Sequence, residues 1–332
     1  MKQSTHPRQG FVLMALILIL SLAGCSTAQA PSPEASMPPR GTGGNAPPLP
    51  AKITQFDQGV PVINVYVVAE KQVTSMPLEE YLYGVLAGEM KNDWPLEALK
   101  AQAILARTFV LRFMTEKESK YQGADVSTDI EEAQAYDAAG INDRIRQAVD
   151  DTRGMVLISE GTFPYTWFFA HSGGKTALAK EGLSYEKEEP SYTQVVDGRE
   201  SDKAPEDAKS WEASFSQAQV IAAAKDAGLS LDTVESFAIG ETGESGRAMT
   251  LMINGKPVDA PKFRVAIGST EMRSTLLTKV AIQNGKVVMS GKGYGHGVGM
   301  SQWGAYGMAD EGSTADQIVT YYFKNVTVEK LW

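Results

Sequence analysis

The chain has 332 residues and a mass of 35.8 kDa, enough for a sizeable buried core and one or two domains. Its net charge of −9 and pI near 5.0 argue against non-specific nucleic-acid binding, while leaving neutral glycans open as ligands. A single cysteine, Cys25, excludes an intramolecular disulfide and a cysteine-based zinc site. At the N-terminus, Lys2 and Arg8 form a positive region, and Phe11 to Leu22 is an apolar run too short to span a membrane comfortably. Leu22-Ala23-Gly24-Cys25 then has the form of a bacterial lipobox, in which cleavage leaves a lipid-modified cysteine. Residues 1–24 are thus expected to be a lipoprotein signal peptide, with an uncleaved anchor or an ordinary signal peptide as alternatives. Each of these places the remainder outside the cytoplasmic membrane, and the lipoprotein reading anchors it through Cys25 to the cell membrane, or to an outer membrane if the host has one. Residues 25–55 are rich in Pro, Ala, Ser and Gly and read as a disordered tether.

Val60 to Val73 alternates and is β-branched, which predicts one or two strands. Met76 to Phe113 predicts two helices with a short break. Leu78, Leu82 and Val85 recur at i, i+4 and i+7, and four residues on the same stripe lands on Glu89. A carboxylate at the end of an apolar stripe is either desolvated and held protonated near neutral pH, as a general acid needs, or it sits past a helix frayed at Gly88 and faces water. Asn92-Asp93 can cap the second helix, with Pro95 in its first turn. Leu96, Leu99, Ala103, Ala106, Val110 and Phe113 then predict an amphipathic helix. Lys100 and Arg107 lie seven apart on one face. They either hold a polar substrate near Glu89 or are solvated surface charges.

Tyr121 to Tyr136 is polar and predicts a loop followed by a short helix. Ile141 to Thr152 predicts a helix stopped by Gly154, and Met155 to Ser159 a strand. Phe163 to Ala170 is dense in aromatic residues and predicts a central strand that delivers His171, Ser172, Gly173 and Gly174 to a loop. That loop either contacts a ligand or is a tight turn with exposed His and Ser. Gly174-Lys175-Thr176 is not a phosphate loop, because Phe169 stands where its first glycine is required. Leu183 to Ser210 is a charged excursion, with a helix near Ser216 to Ala227 after it. Val234 to Ile267 predicts strands with a hairpin at Asn254-Gly255. Arg264 and Arg273 either contact substrate or bridge lobes. Lys286 to Met289 predicts a strand.

Gly291 to Gly299 carries five glycines in nine residues around Tyr294 and His296, which suits a backbone wrapped closely round a ligand. Ser301 to Met308 predicts a helix whose N-terminal N–H groups, with Gln302, could face the site. Trp303 and Tyr306 offer either stacking faces for sugars or core packing. Thr314 and Gln317 form a capping box for a last helix, Ala315 to Phe323, before a terminal strand. The pattern as a whole predicts an α+β fold of mixed helices and antiparallel sheets, with a smaller lobe at about 185–285 inserted in a core running from 56 to 332.

Three ordered blocks carry a resemblance. LEEYLYGVLAGEM with WPLEALKAQAILARTF, AHSGGKT at 170–176, and GKGYGHGVGMSQWGAYGMA at 291–309 resemble the stage II sporulation protein D (SpoIID) and amidase-enhancer family. Asp129, Gln134 and Tyr136 match a further family segment. The resemblance implies a lytic transglycosylase acting on peptidoglycan glycan strands, with Glu89 as catalytic acid and then base, giving anhydro-muramic ends. It implies substrate contacts from Lys100, Arg107, His171, Ser172, Gly173, Gly174, Tyr294, His296, Ser301 and Gln302. The alternative it implies is a non-catalytic wall-binding protein that enhances an amidase, which makes a cell-wall amidase a further partner. Some members of the family hold a zinc with His and Cys near the Ser-Gly-Gly loop. This chain keeps His171 but has no cysteine there, so no metal and no cofactor are expected.

Overall fold

A computed structural model describes residues 46–332. Cys25, the expected signal peptide and most of the expected tether lie outside the described residues.

The alternating segment forms an antiparallel meander of β1 (Phe56–Asp57), β2 (Val60–Val67) and β3 (Gln72–Pro77). Ile63 and Val65 point into the core from β2, while Asn64 and Tyr66 between and beyond them are only half-buried. Helices α1 (Leu78–Glu89) and α2 (Leu96–Glu116) follow. The expected Asn92-Asp93 cap does not form. Pro95 occupies the N-cap of α2 with no side-chain cap, and the Asn92 amide instead donates to the Gly140 carbonyl at 3.0 Å.

The segment 121–136 holds β4 (Val126–Ser127), parallel to β2, and no helix. Asp129 explains this difference. Its carboxylate accepts from the Glu131 N–H and the Tyr121 hydroxyl and pairs with Lys120, and such local bonds compete with a helical ladder. α3 (Asp143–Asp151) is capped by Asn142 and leads to β5 (Met155–Ile158). The expected central strand at 163–170 shrinks to β6 (Phe168–Phe169). Pro164 has no N–H for a ladder, and Thr166 donates its hydroxyl to the Leu105 carbonyl.

Two short helices, α4 (Ala179–Leu183) and α5 (Glu206–Lys209), precede β7 (Ser210–Ser216) and α6 (Gln217–Asp226), which has a Ser216–Gln219 capping box. β8 (Phe237–Ile239), β9 (Thr250–Ile253) and β10 (Lys256–Asp259) form an antiparallel sheet with its hairpin at Asn254-Gly255. The expected strand over 260–267 is instead helix α7 (Ala260–Ile267), which Asp259 caps and Pro261 starts. β11 (Leu277–Gln283) and β12 (Lys286–Lys292) join β7 in the order β11-β12-β7. β13 (Met300–Ser301) pairs parallel with β6. α8 (Gln302–Asp310) and α9 (Ala315–Tyr322), with its Thr314–Gln317 capping box, lead to β14 (Thr327–Lys330), antiparallel to β5.

α2 is the central helix, packed by α1, α3, α8, α9 and β5. From Leu99 onward its 3-4-spaced stripe is buried, but so are Ala98, Gln102, Leu105 and Leu111 off that stripe. The sequence AQAILA is small or apolar apart from Gln102, so the helix is enclosed rather than amphipathic. A second apolar cluster, running from Trp211 to Met289, fills the space between α6, α7 and the sheets built on β7 to β12. The mixture of helices and mostly antiparallel sheets is the expected α+β class.

Candidate functional site

Glu89 is the last residue of α1, and the helix does not fray at Gly88. Two glycines one turn apart, Gly84 and Gly88, make a groove on α1 into which residues 135–136 drop. A Cβ on Gly88 would lie 2.6 Å from the Tyr136 nitrogen, and one on Gly84 would strike the Tyr136 ring at 2.2 Å. This close approach brings the Ala135 N–H to the Glu89 carboxylate, which accepts it at 2.7 Å. The Glu89 carbonyl, left over at the helix end, accepts from the Gln302 amide at 3.0 Å. Half-burial pushes the Glu89 carboxyl up to about 7, against the opposing pull of the Ala135 N–H. The carboxyl opens on a cleft of about 500 Å³ walled by residues 87–93, Asp137 and Gly140. A carboxylic acid that is substantially protonated near neutral pH and faces an open cleft can donate a proton to a ligand bound there.

The other two blocks meet at a separate junction. His171 and Tyr294 exchange backbone hydrogen bonds at 3.0 and 2.8 Å. Close interlocking is why glycines occur here: a Cβ on Gly293 would lie 2.6 Å from the His171 carbonyl, at a backbone φ of +77°. The N–H groups of the loop are all engaged. Ser172 N–H donates to Glu200, Gly173 N–H to His171 Nδ1 and Gly174 N–H to Ser172 Oγ. Ser172 is fully buried and His171 nearly so, which corrects the expectation that their side chains contact substrate. Burial also lowers the His171 pKa. His296 accepts from the Val298 N–H through Nδ1, and burial with the nearby Arg264 and Arg247 charges pushes its imidazole down to about 3, so it stays neutral. Tyr294 is half-buried with the Arg273 guanidinium 5.1 Å from its ring centre.

Ser301 is also fully buried. As N-cap of α8 it accepts from the Gly304 N–H and donates to Glu200 at 3.1 Å, so it too is framework rather than a substrate contact. The Trp303 N–H donates to the Ala170 carbonyl, so this N–H and that of Gly304 serve the protein interior. Trp303 packs on Trp94 with ring centres 4.4 Å apart, and Tyr306 meets Trp94 edge-on, which settles both as packing residues. Gln302 alone among the residues of the C-terminal block expected at the site is tied to Glu89 by a direct hydrogen bond.

Lys100 and Arg107 do not line the cleft. Lys100 pairs with Glu97 and Asp151, each at 3.0 Å. Arg107 is fully buried. It donates to Glu79 from Nε and Nη2 and to the Met155 carbonyl from Nη1. Glu79 also accepts from the Gly154 N–H and the Trp332 indole, so the pair locks α1, α2 and the C-terminus together. A guanidinium committed in this way is unavailable to a ligand, which corrects the reading of Arg107 as a substrate contact. Arg264 donates to the Arg273 and Ser269 carbonyls, and Arg273 pairs with Asp207.

Two features were missed by sequence reasoning. Glu200 joins the loop at 172 to the start of α8, yet it lies in a charged stretch where nothing distinguishes it from its neighbours. Gly84 carried a usable signal: two glycines four apart inside a helix weaken it unless another chain lies against them. Among the described residues, no group of His, Cys, Asp and Glu side chains converges as a metal site, and no helix is long and apolar enough to cross a membrane.

A desolvated carboxyl thus stands at a helix end, facing a cleft in an α+β framework. The stage II sporulation protein family profile matches residues 67–158, which hold α1, α2 and Glu89, and a domain of unknown function matches residues 165–299. Stage II sporulation protein D of Bacillus subtilis is 32% identical over 288 residues, covering 81% of this chain and 79% of the relative. Its counterpart in Bacillus amyloliquefaciens is 31% identical over 285 residues, covering 81% and 78%. The amidase enhancer of Bacillus subtilis is 28% identical over 291 residues, covering 74% of this chain and 40% of the relative. The chain belongs to the stage II sporulation protein D family.

Proposed function

We propose that the protein works on the bacterial cell wall as a lytic transglycosylase, cleaving peptidoglycan glycan strands at Glu89. The observation that carries this reading is the Glu89 carboxyl, raised to about 7 at the mouth of an open cleft. Glu89 protonates the oxygen between N-acetylmuramic acid and N-acetylglucosamine as the glycosidic bond breaks. It then takes the proton of the muramic C6 hydroxyl, whose oxygen closes on C1 to form the anhydro ring. One carboxyl serves both steps because the nucleophile is the substrate's own hydroxyl, whereas hydrolysis through water or a covalent intermediate needs a second carboxylate. A well-placed general acid supplies about 10²–10⁴ in rate. Gln302 and the Ala135 N–H hold the acid in place from either side. On this reading a lipid on Cys25 keeps the domain at the outer face of the membrane.

A second reading has support from the amidase enhancer among the relatives: a wall-binding protein that stimulates an amidase without turnover. Incubating the purified protein with peptide-free glycan strands and examining the products by mass spectrometry separates the two. Anhydro-muramic ends are expected. Bound but uncut strands would favour the second reading.

A further inference from the structure

The sheet β11-β12-β7 ends on β7, whose outer edge pairs with no other strand among the described residues. A cavity of about 540 Å³ runs along this edge. One wall is the unbroken run Ser210 to Phe215, about 17 Å of extended chain, and the facing wall includes Thr270, Glu271 and Arg273.

The register decides which backbone groups face the cavity. The Gly293 N–H donates to the Lys209 carbonyl, and Gly291 stands opposite Trp211. Bonded and non-bonded pairs alternate in an antiparallel ladder, so Trp211, Ala213 and Phe215 bond inward to β12. Ser210, Glu212 and Ser214 turn their backbone groups outward. The Ser210 N–H is taken by the Glu206 carbonyl. The Ser210 carbonyl and both backbone groups of Glu212 and Ser214 are left for an incoming strand.

The charge of the groove selects that strand. Asp207, Glu212 and Glu271 line it against one cation, Arg273, and Arg273 is already paired with Asp207 at 3.1 Å. Glu212 accepts only a Ser290 hydroxyl and Glu271 only the hydroxyl of Thr270, so neither has a basic partner among the described ion pairs. A second copy of this chain laid along the same edge would set these carboxylates against their own kind, and like charges across a strand pair are destabilising.

We propose that the groove along the free edge of β7 takes an extended, basic segment of a partner protein as a fourth strand of the sheet. Main-chain bonds to residues 210–214 supply the attachment, and Glu212 and Glu271 select lysine or arginine on the segment. The site is separate from the Glu89 cleft and does not depend on glycan cleavage.

The test uses the purified protein and an acetylated, amidated octapeptide alternating lysine and valine. Saturable binding is expected in tryptophan emission, since Trp211 lines the groove, with slowed hydrogen exchange at Glu212 and Ser214. Ser214→Pro removes one outward N–H without touching the bonds to β12, a placement an edge strand tolerates, and should weaken binding at least tenfold. Glu212→Lys, at an exposed side chain, should do the same and carries the test if the proline variant fails to fold. A glutamate–valine octapeptide should not bind. Absence of binding by the lysine peptide, equal binding by the Glu212→Lys variant, or protection confined to other strands would overturn the proposal. So would a concentration-dependent dimer protected at the same amides without peptide, which would assign the edge to a second copy.

Discussion

The cleft at Glu89 and the junction of residues 171–174 with 293–299 are both made possible by glycine, and they end in opposite states. At the cleft, Gly84 and Gly88 admit a backbone segment onto a helix, and one carboxyl is left open towards about 500 Å³ of space. At the junction, glycines at positive φ let two loops interlock until the N–H groups of Ser172, Gly173 and Gly174 are all spent on Glu200, His171 and Ser172 itself. Glycine density therefore marks close backbone approach. Whether a ligand can enter depends on which polar atoms remain uncommitted after that approach.

The largest stability loss should come from disturbing the closed region. A Cβ at Gly297 would lie 2.4 Å from the Arg247 guanidinium carbon, at φ +86°. Gly297→Ala should cost about 2–4 kcal/mol, read as a lower denaturant midpoint, through combined overpacking and left-handed strain. An unchanged midpoint would mean that the junction is looser than described.

The open region makes a different demand. The Glu89 carboxyl titrates near 7 in the folded protein and near the ordinary 4.5 when unfolded. Between these values the folded state binds more protons, so the group's contribution to stability falls as pH rises through that window, by about 3 kcal/mol in all. Glu89→Gln keeps an acceptor for the Ala135 N–H and cannot ionise. It should match the parent near pH 4 and exceed its stability by about 3 kcal/mol at pH 8, measured by denaturant titration. A difference that stays flat with pH would show the carboxyl to be solvated.

Gly88→Ala should cost about 1–3 kcal/mol and reduce glycan cleavage, because the segment carrying Ala135 must move away from the acid. The smallest effect is expected at Lys100, whose bonds are to Glu97 and Asp151 on the half-exposed side of α2. Lys100→Ala should change stability by less than about 1 kcal/mol and leave cleavage at the parental rate.

Much of the framework was legible in sequence because periodicity and caps are local. The β2–β3 pair, α1, α3, the Thr314 capping box and the Asn254-Gly255 hairpin all follow from residues close together in the chain. The errors came where non-local partners decide. Asp129 replaced a helix by turns, Pro164 broke the expected strand, and α2 was enclosed on faces that the 3-4 stripe leaves out. The same holds at the site. The apolar stripe leading to Glu89 predicted a sheltered carboxyl, but Arg107 was misread because its partner Glu79 lies on another helix, and Glu200 gave no local signal.

The claim on which the functional account rests is that the Glu89 carboxyl acts as a proton donor to glycan in its cleft. The most direct measurement compares the rate of cleavage of purified glycan strands by the parent and by Glu89→Gln across pH 5–9, with folding of both confirmed. The account predicts that parental activity declines above about pH 7 as the acid ionises, and that the glutamine variant loses at least about 10²-fold throughout. A variant that cleaves at the parental rate, or a parental rate that rises through pH 8, would contradict it.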